Sequence, residues 1–442
     1  MNAPAADSSP SNLLQRLFGL EKHELVPVAW SFFYFFCVLS SYYVLRPVRE
    51  MHAVGSGSNT IPWLFTATFV VMLLATPVFG WITSRFPRRQ FLPWVYLFFI
   101  INILIFWGVF SVYAKEGQDH IWLGRIFFVW LSVFNLFVVS VFWSFMADIY
   151  SREQGRRLFG VIASGGSIGG LIFAGVTSIL SVKIGSENLF PFAAALLVMA
   201  VVCIGRLRNW VSKERERQSM SVSHKGKPLG GSPLAGMTHA LSSKYFGGIA
   251  VSSVIASLLG TFLYIFTAQL VDQAIADPDQ RTRFFSNINV ATLAISLLGQ
   301  MFLVRHVVGR FGIGVSLALM PVLSVAGFAI LAVNPTLAGL ALLTIARRGL
   351  GFGFTKPTTD MLYSVVSPED KYKSKNFVDT AIYRGGDLVG AWAIRGLIWL
   401  GFGISAISWI MVPFTAVWSI IAFWLGRDYR RRAKLQTDKP NP

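Results

Sequence analysis

IWLGRIFFVWLSVFNLFVVSVFWSFMA, residues 121–147, carries a single ionisable side chain, Arg125, and one glycine near its start. Crossing the hydrocarbon of a bilayer takes a helix of about 20 consecutive apolar residues. This run is long enough, and far too long for a barrel strand, which needs only about 10 residues of alternating polarity. Similar runs lie on either side of it, at 27–50, 60–83, 91–113, 158–181 and 189–207. After a polar gap they return at 246–272, 284–305, 313–334, 337–366, 376–400 and 404–426. The pattern predicts an all-α membrane protein with about twelve transmembrane helices.

Composition agrees. Hydrophobic residues make up 54% of the chain and charged residues 14%, against about 25% charged in a typical soluble protein. The formal net charge of +18 does not point to nucleic acid, because the basic residues sit in short clusters between apolar runs, as the positive-inside bias requires. With the N-terminus in the cytoplasm, about 27 of the 39 Lys and Arg fall in cytoplasmic loops and tails and about five on the opposite face. Both termini are then cytoplasmic, and the expected location is a bacterial inner (plasma) membrane. The leading segment is too polar for a signal peptide, and its Leu14–Leu20 patch is read as a surface-lying helix. The expected divisions are a cytoplasmic N-terminal segment 1–26, a six-helix bundle 27–207, a cytoplasmic linker 208–244, a second six-helix bundle 245–426 and a basic cytoplasmic tail 427–442.

The halves echo each other. Ala147-Asp148-Ile149-Tyr150-Ser151 precedes a basic loop and Gly165-Gly166-Ser167-Ile168-Gly169-Gly170. Thr359-Asp360-Met361-Leu362-Tyr363-Ser364 precedes a basic loop and Gly385-Gly386-Asp387-Leu388-Val389-Gly390. This order fits a parallel duplication. The glycines read as small faces for close helix approach.

Seven cations remain inside the spans: Arg46, Arg49, Arg347, Arg348, Lys356, Arg384 and Arg395. Each costs roughly 2.5–3.5 kcal/mol at the centre of a membrane helix even on the lenient insertion scale. Arg46, Arg49 and Glu50 share a helix face with Tyr42, and two guanidinium forks there match phosphate or carboxylate groups. The alternative is a surface cluster at the outer helix end, about 28 Å from Pro27. Arg347 and Arg348 lie near the midplane, followed by three glycines and Pro357, so their helix is expected to bend. Lys356 either joins the substrate site or snorkels to the rim. Arg384 and Asp387 are spaced to pair, and Asp379, Tyr383 and Asp387 share a face. Such a pair gates a carrier or fixes helix packing. Asp148 and Asp360 are placed at the cytoplasmic rim, paired with loop arginines or coupled to protons. Cys37 and Cys203 lie in apolar runs, and the six histidines form no metal-like cluster. No catalytic set, metal or cofactor is expected.

Gly80-Trp81-Ile82-Thr83-Ser84-Arg85-Phe86-Pro87-Arg88-Arg89 resembles the loop signature of the major facilitator superfamily, G-x-x-x-D-[RK]-x-G-[RK]-[RK]. Gly80, Arg85, Arg88 and Arg89 match; Ser84 replaces the acid and Pro87 the second glycine. The resemblance implies two bundles around a central cavity, with Arg85 and Arg89 in a conformational latch. Tyr42-Tyr43-Val44-Leu45-Arg46-Pro47-Val48-Arg49-Glu50 resembles the end of helix one in the ATP/ADP translocase family. There Arg46 matches the family arginine, Arg49 its substrate lysine and Glu50 its acid, while Pro47 departs. Lys371 through Thr380 resembles that family's approach to helix eleven. The resemblance implies an antiporter moving a nucleotide or another phosphorylated anion, with a counter-substrate or protons as the other partner. A proton-coupled exporter of drugs or organic solutes is the competing expectation. It predicts that Asp379 or Asp387 titrates during transport.

Overall fold

The computed structural model describes residues 21–85, 88–116, 121–218, 243–366, 378 and 382–437. Several expectations lie outside them: the Leu14–Leu20 surface helix, most of the linker, Asp379, and the lysines at 371, 373 and 375. The side chains of Arg85, Arg88 and Arg89 also lie outside what is described.

The first half folds into α1 (Leu25–Gly55), α2 (Ile61–Arg85), α3 (Arg88–Glu116), α4 (Ile121–Ile149), α5 (Arg152–Ile184) and α6 (Phe190–Gln218). The second half gives α7 (Lys244–Ala274), α8 (Pro278–Leu298), α9 (Val304–Val333), α10 (Leu337–Leu350), α11 (Lys356–Met361), α12 (Tyr383–Trp399) and α13 (Ile404–Thr437). A π turn, Gly299–Leu303, joins α8 to α9, and a second, Gly351–Thr355, joins α10 to α11. The chain turns between the eighth and ninth crossings at Gly312, whose φ of 76° is a conformation glycine adopts at little steric cost. Among the described residues, eleven helices are long and apolar enough to span a membrane; the shorter α12 makes the twelfth crossing. The protein is an all-α, multi-pass membrane protein, with no strand among the described residues. Apolar side chains such as Leu73, Ile105, Trp122, Ile330 and Val389 stay exposed, as lipid-facing residues do.

Packing divides the chain into two compact units. In the first, an aromatic core runs through Tyr34, Phe127, Phe134, Phe142 and Phe190. The Tyr34 hydroxyl donates to Tyr96 at 2.6 Å and Tyr96 to the Val138 carbonyl at 3.1 Å, so neither buried phenol lacks a partner. Gly165 and Gly169 let α5 lie against the carbonyls of Phe32 and Phe36 on α1, where a Cβ would collide. Ser151 caps α5 reciprocally with Gln154, satisfying two otherwise orphaned amides.

In the second unit, α9 packs along α13, and α12 along α7. Gly386 and Gly390 approach Ser257 and Leu258 on α7, as small-face packing predicts. Gly385 is a correction: a Cβ there meets nothing within 4 Å, so it is no part of that face. The units do not follow the sequence halves strictly. The second takes in His52–Val70, and the first takes in Thr282–Ser286; Ser186 and Thr282 share a buried hydrogen bond of 2.8 Å.

Candidate functional site

Each unit holds its own group of arginines. On α1, the Arg49 Nη2 donates to Glu50 at 2.5 Å, its Nη1 reaches Ser132 on α4 at 3.3 Å, and its guanidinium lies 4.7 Å over the Phe128 ring. The Arg46 Nε is 3.9 Å from the same Glu50 carboxylate, and its guanidinium sits 5.8 Å from the rings of both Tyr42 and Tyr43. The pairing with Glu50 that the surface-cluster alternative expected is present, with the side chains only 16% (Arg46), 13% (Arg49) and 7% (Glu50) exposed. The reason is the length of α1. It continues to Gly55, about two turns beyond Arg46, so these residues are not at the helix end.

In the second unit, Arg347 Nη2 donates to the Ala256 carbonyl on α7 at 2.7 Å, while its buried Nε has no hydrogen-bond partner among the described residues. Arg348 Nη2 donates to Asn289 Oδ1 on α8 at 3.1 Å, and Asn289 is buried. The predicted bend follows them directly as the π turn Gly351–Thr355. It faces the other π turn: a Cβ on Gly299 would lie 3.3 Å from the Gly353 backbone, and Gln300 donates to the Phe352 carbonyl at 3.3 Å.

Asp387 accepts from Ser257 at 2.5 Å and from Thr261 at 3.4 Å, and Arg384 approaches its other oxygen at 3.6 Å. The predicted i, i+3 pair therefore forms, bracketed by two hydroxyls of α7. Lys356 pairs with Asp360 at 3.4 Å on a partly exposed face, where such pairs contribute little. Asp148 is exposed at the end of α4.

Glu50 accompanies Arg46 and Arg49, and Asp387 accompanies Arg384. In the first group two arginines share one carboxylate. Sequence reading missed Ser132, Asn289, Ser257 and Thr261. Of these, only Ser257 and Thr261 left a signal, as small polar residues at i, i+4 in an apolar helix.

Twelve membrane crossings with arginines enclosed among them, and no strand among the described residues, define a polytopic membrane transporter. The chain belongs to the Major Facilitator Superfamily, whose family model matches residues 28–391. It is 21% identical to ADP,ATP carrier protein 2 of Chlamydia pneumoniae, over 96% of this chain and 92% of the relative. It is 23% identical to the chloroplastic ADP,ATP carrier protein 2 of Arabidopsis thaliana, over 95% of this chain and 76% of the relative. Among solved structures, the nucleoside transporter NupG superposes with a TM-score of 0.53 at 17% identity, covering 92% of this chain and 98% of that one. A bacterial homologue of the iron transporter ferroportin gives 0.55 at 14% identity, covering 96% and 99%. These structures share the fold.

Proposed function

We propose that the protein moves an anionic small molecule across the bacterial inner membrane by alternating access, and that the anion is a nucleotide or another phosphorylated metabolite. Arg347 carries the reading. Its guanidinium sits in a membrane-crossing helix and donates to a neutral carbonyl, with the Asp387 carboxylate within electrostatic reach; a charge there is costly without an anion, and a substrate anion would take over from Asp387. Arg348 in the second unit, and Arg46 and Arg49 in the first, supply further forks for bidentate contact with phosphate oxygens, with Tyr42 beside Arg46, and Lys356 and Arg384 complete the proposed substrate set. Glu50 and Asp387 act as resident counter-ions that substrate displaces. Asp148, Asp360, Asp379, Arg85 and Arg89 are assigned to gating or coupling. The similarity to ADP,ATP carriers supports a nucleotide and an exchange mode.

Proteoliposomes test this directly. Uptake of labelled ATP or ADP is expected to be abolished in Arg49→Ala and Arg347→Ala while both variants stay folded. Unchanged uptake in both ends the proposal. Preloading the vesicles with nucleotide is expected to speed uptake several-fold, whereas equal rates into empty vesicles exclude exchange.

Proton-coupled export of drugs or organic solutes is the second reading, favoured by one observation: Asp387 is a carboxylate held by Ser257 and Thr261 inside a membrane-crossing helix. That mode requires transport to collapse with the proton gradient and to survive loss of Arg347.

A further inference from the structure

We infer that the exposed face at the end of α13, carried by Arg427, Arg430, Arg431 and Lys434, binds the phosphodiester headgroups of anionic phospholipids. The helix runs unbroken to Thr437, and its last three turns have two unlike sides. Asp428, Tyr429, Arg432 and Ala433 turn inward. The Arg432 Nε pairs with Asp428 at 2.8 Å, and its guanidinium lies 4.5 Å over the Tyr245 ring of α7. The Tyr429 hydroxyl is 3.3 Å from that of Ser364, and Tyr429 and Ala433 pack against the core around Tyr245 and Tyr363. Spacing of i, i+3, i+4 and i+7 gathers Arg427, Arg430, Arg431 and Lys434 on the other side, and all four are exposed. None of them has a partner among the described residues. Asp428, the one acid in this stretch of the sequence, is engaged by Arg432.

The preceding turns of the helix say which anion this face takes. Val417, Ile420, Phe423 and Trp424 are apolar and exposed. At 100° per residue these four and the four cations fall within one sector of about 140°. A single stripe therefore changes from hydrocarbon to cationic between Trp424 and Arg427. A stripe that faces acyl chains along a crossing meets headgroups where the crossing ends. Trp424 marks that boundary, as indole rings do at the membrane–water interface. Its ring is held across Gly248 of α7, where a Cβ would collide with it. From Arg427 to Lys434 the helix rises about 10 Å, enough to cover the roughly 5–8 Å of headgroup region beside the hydrocarbon. Guanidinium forks grip phosphate oxygens in pairs, and basic clusters next to a crossing attract anionic lipid. A general basic rim would not sort its charges by side, yet here Arg432 is turned to the core and only the continuation of the apolar stripe is left cationic. A soluble phosphate leaves the apolar part of the stripe unused, whereas a lipid fills both parts.

The inference rests on the membrane-crossing fold and is independent of the transported anion, so its test needs no transport. Full-length protein in detergent is offered equal amounts of dioleoyl phosphatidylglycerol and dioleoyl phosphatidylcholine, which share their acyl chains and differ in headgroup charge. Retained lipids are counted by native mass spectrometry. The variant carrying Arg427→Gln, Arg430→Gln, Arg431→Gln and Lys434→Gln together is expected to keep at least one phosphatidylglycerol fewer per protein than the wild type, with its phosphatidylcholine count unchanged. Glycerol phosphate, added to the wild type at the lipid concentration, is expected to displace none. Equal phosphatidylglycerol counts in the two proteins overturn the inference. So does an equal loss of both lipids, which would reduce the stripe to apolar contact. Displacement by glycerol phosphate overturns it as well, since the cations would then be a site for free phosphate. If the fourfold variant fails to reach the membrane, Arg430→Gln with Arg431→Gln is read by the same outcomes.

Discussion

Arg49 spends its two terminal nitrogens on different partners: Nη2 on Glu50, the next residue in the chain, and Nη1 on Ser132, a helix away on α4. The carboxylate is the nearer and the charged one, so Glu50 is the stronger of the two partners. The pair is also incomplete, because Arg46 leans on the same Glu50.

Removing the carboxylate is expected to destabilise the protein more than removing one cation. Breaking one partner of a buried pair costs about 3–5 kcal/mol through the uncompensated charge left behind. Glu50→Gln leaves two arginines without their anion, whereas Arg49→Gln leaves Arg46 with Glu50. Thermal unfolding in detergent should rank Glu50→Gln lowest and Glu50→Gln with Arg49→Gln above it. Equal midpoints for the two single variants would show that Glu50 does not serve both arginines.

Arg347→Lys keeps the charge and loses the planar fork. If bidentate contact with a phosphate or carboxylate is what Arg347 supplies, nucleotide uptake should fall at least tenfold while the melting temperature changes little. Uptake preserved in the lysine variant and lost in Arg347→Ala would reduce the role to charge alone.

Gly353 and Gly351 sit in the same π turn with opposite surroundings. A Cβ on Gly353 would lie 2.5 Å from the Ser296 carbonyl oxygen, whereas one on Gly351 meets nothing within 4 Å. Gly353→Ala should therefore cost about 1–3 kcal/mol by overpacking. Gly351→Ala should be neutral or gain a few tenths of a kcal/mol by restricting the unfolded chain. Differential scanning fluorimetry on the two variants checks the contrast.

Glu24, just ahead of α1, is buried and accepts from the Glu21 backbone amide at 3.1 Å, from Gln154 at 3.0 Å and from Arg157 at 3.0 Å. Burial works against its charged form, but these donors outweigh it and hold the carboxyl below the ordinary glutamate range. A depressed folded-state value means the stabilisation is full above the unfolded value, about 4.3. It is lost as pH falls through the folded value. The melting temperature should drop in that acid window, and Glu24→Gln should lie lower at neutral pH with a shallower acid limb. Parallel acid limbs for the two proteins would remove Glu24 from the account.

Much of this was legible in the chain because membrane helices announce themselves by length and apolarity, and charges inside them are few enough to inspect one by one. Arg384 with Asp387, and Arg46 with Glu50, were readable because helical spacing alone brings them together. Ser132, Asn289 and Ala256 were not, since nothing local tells Arg49, Arg348 or Arg347 which neighbouring helix will present an acceptor. The tie between Arg395 and Asn59 joins residues 336 positions apart. No periodicity encodes such a contact.

The facing turns at Gly299–Leu303 and Gly351–Thr355 put a phase slip into two adjacent crossings. A π turn accommodates one residue more than an α turn, so restoring α geometry at either would swing everything beyond it by about 100° around its axis. Arg347 and Lys356 stand on opposite sides of one such slip. The tenth crossing thus has a built-in camshaft: a local change of winding, with no unit moving as a body, would re-aim one cation while the other holds still.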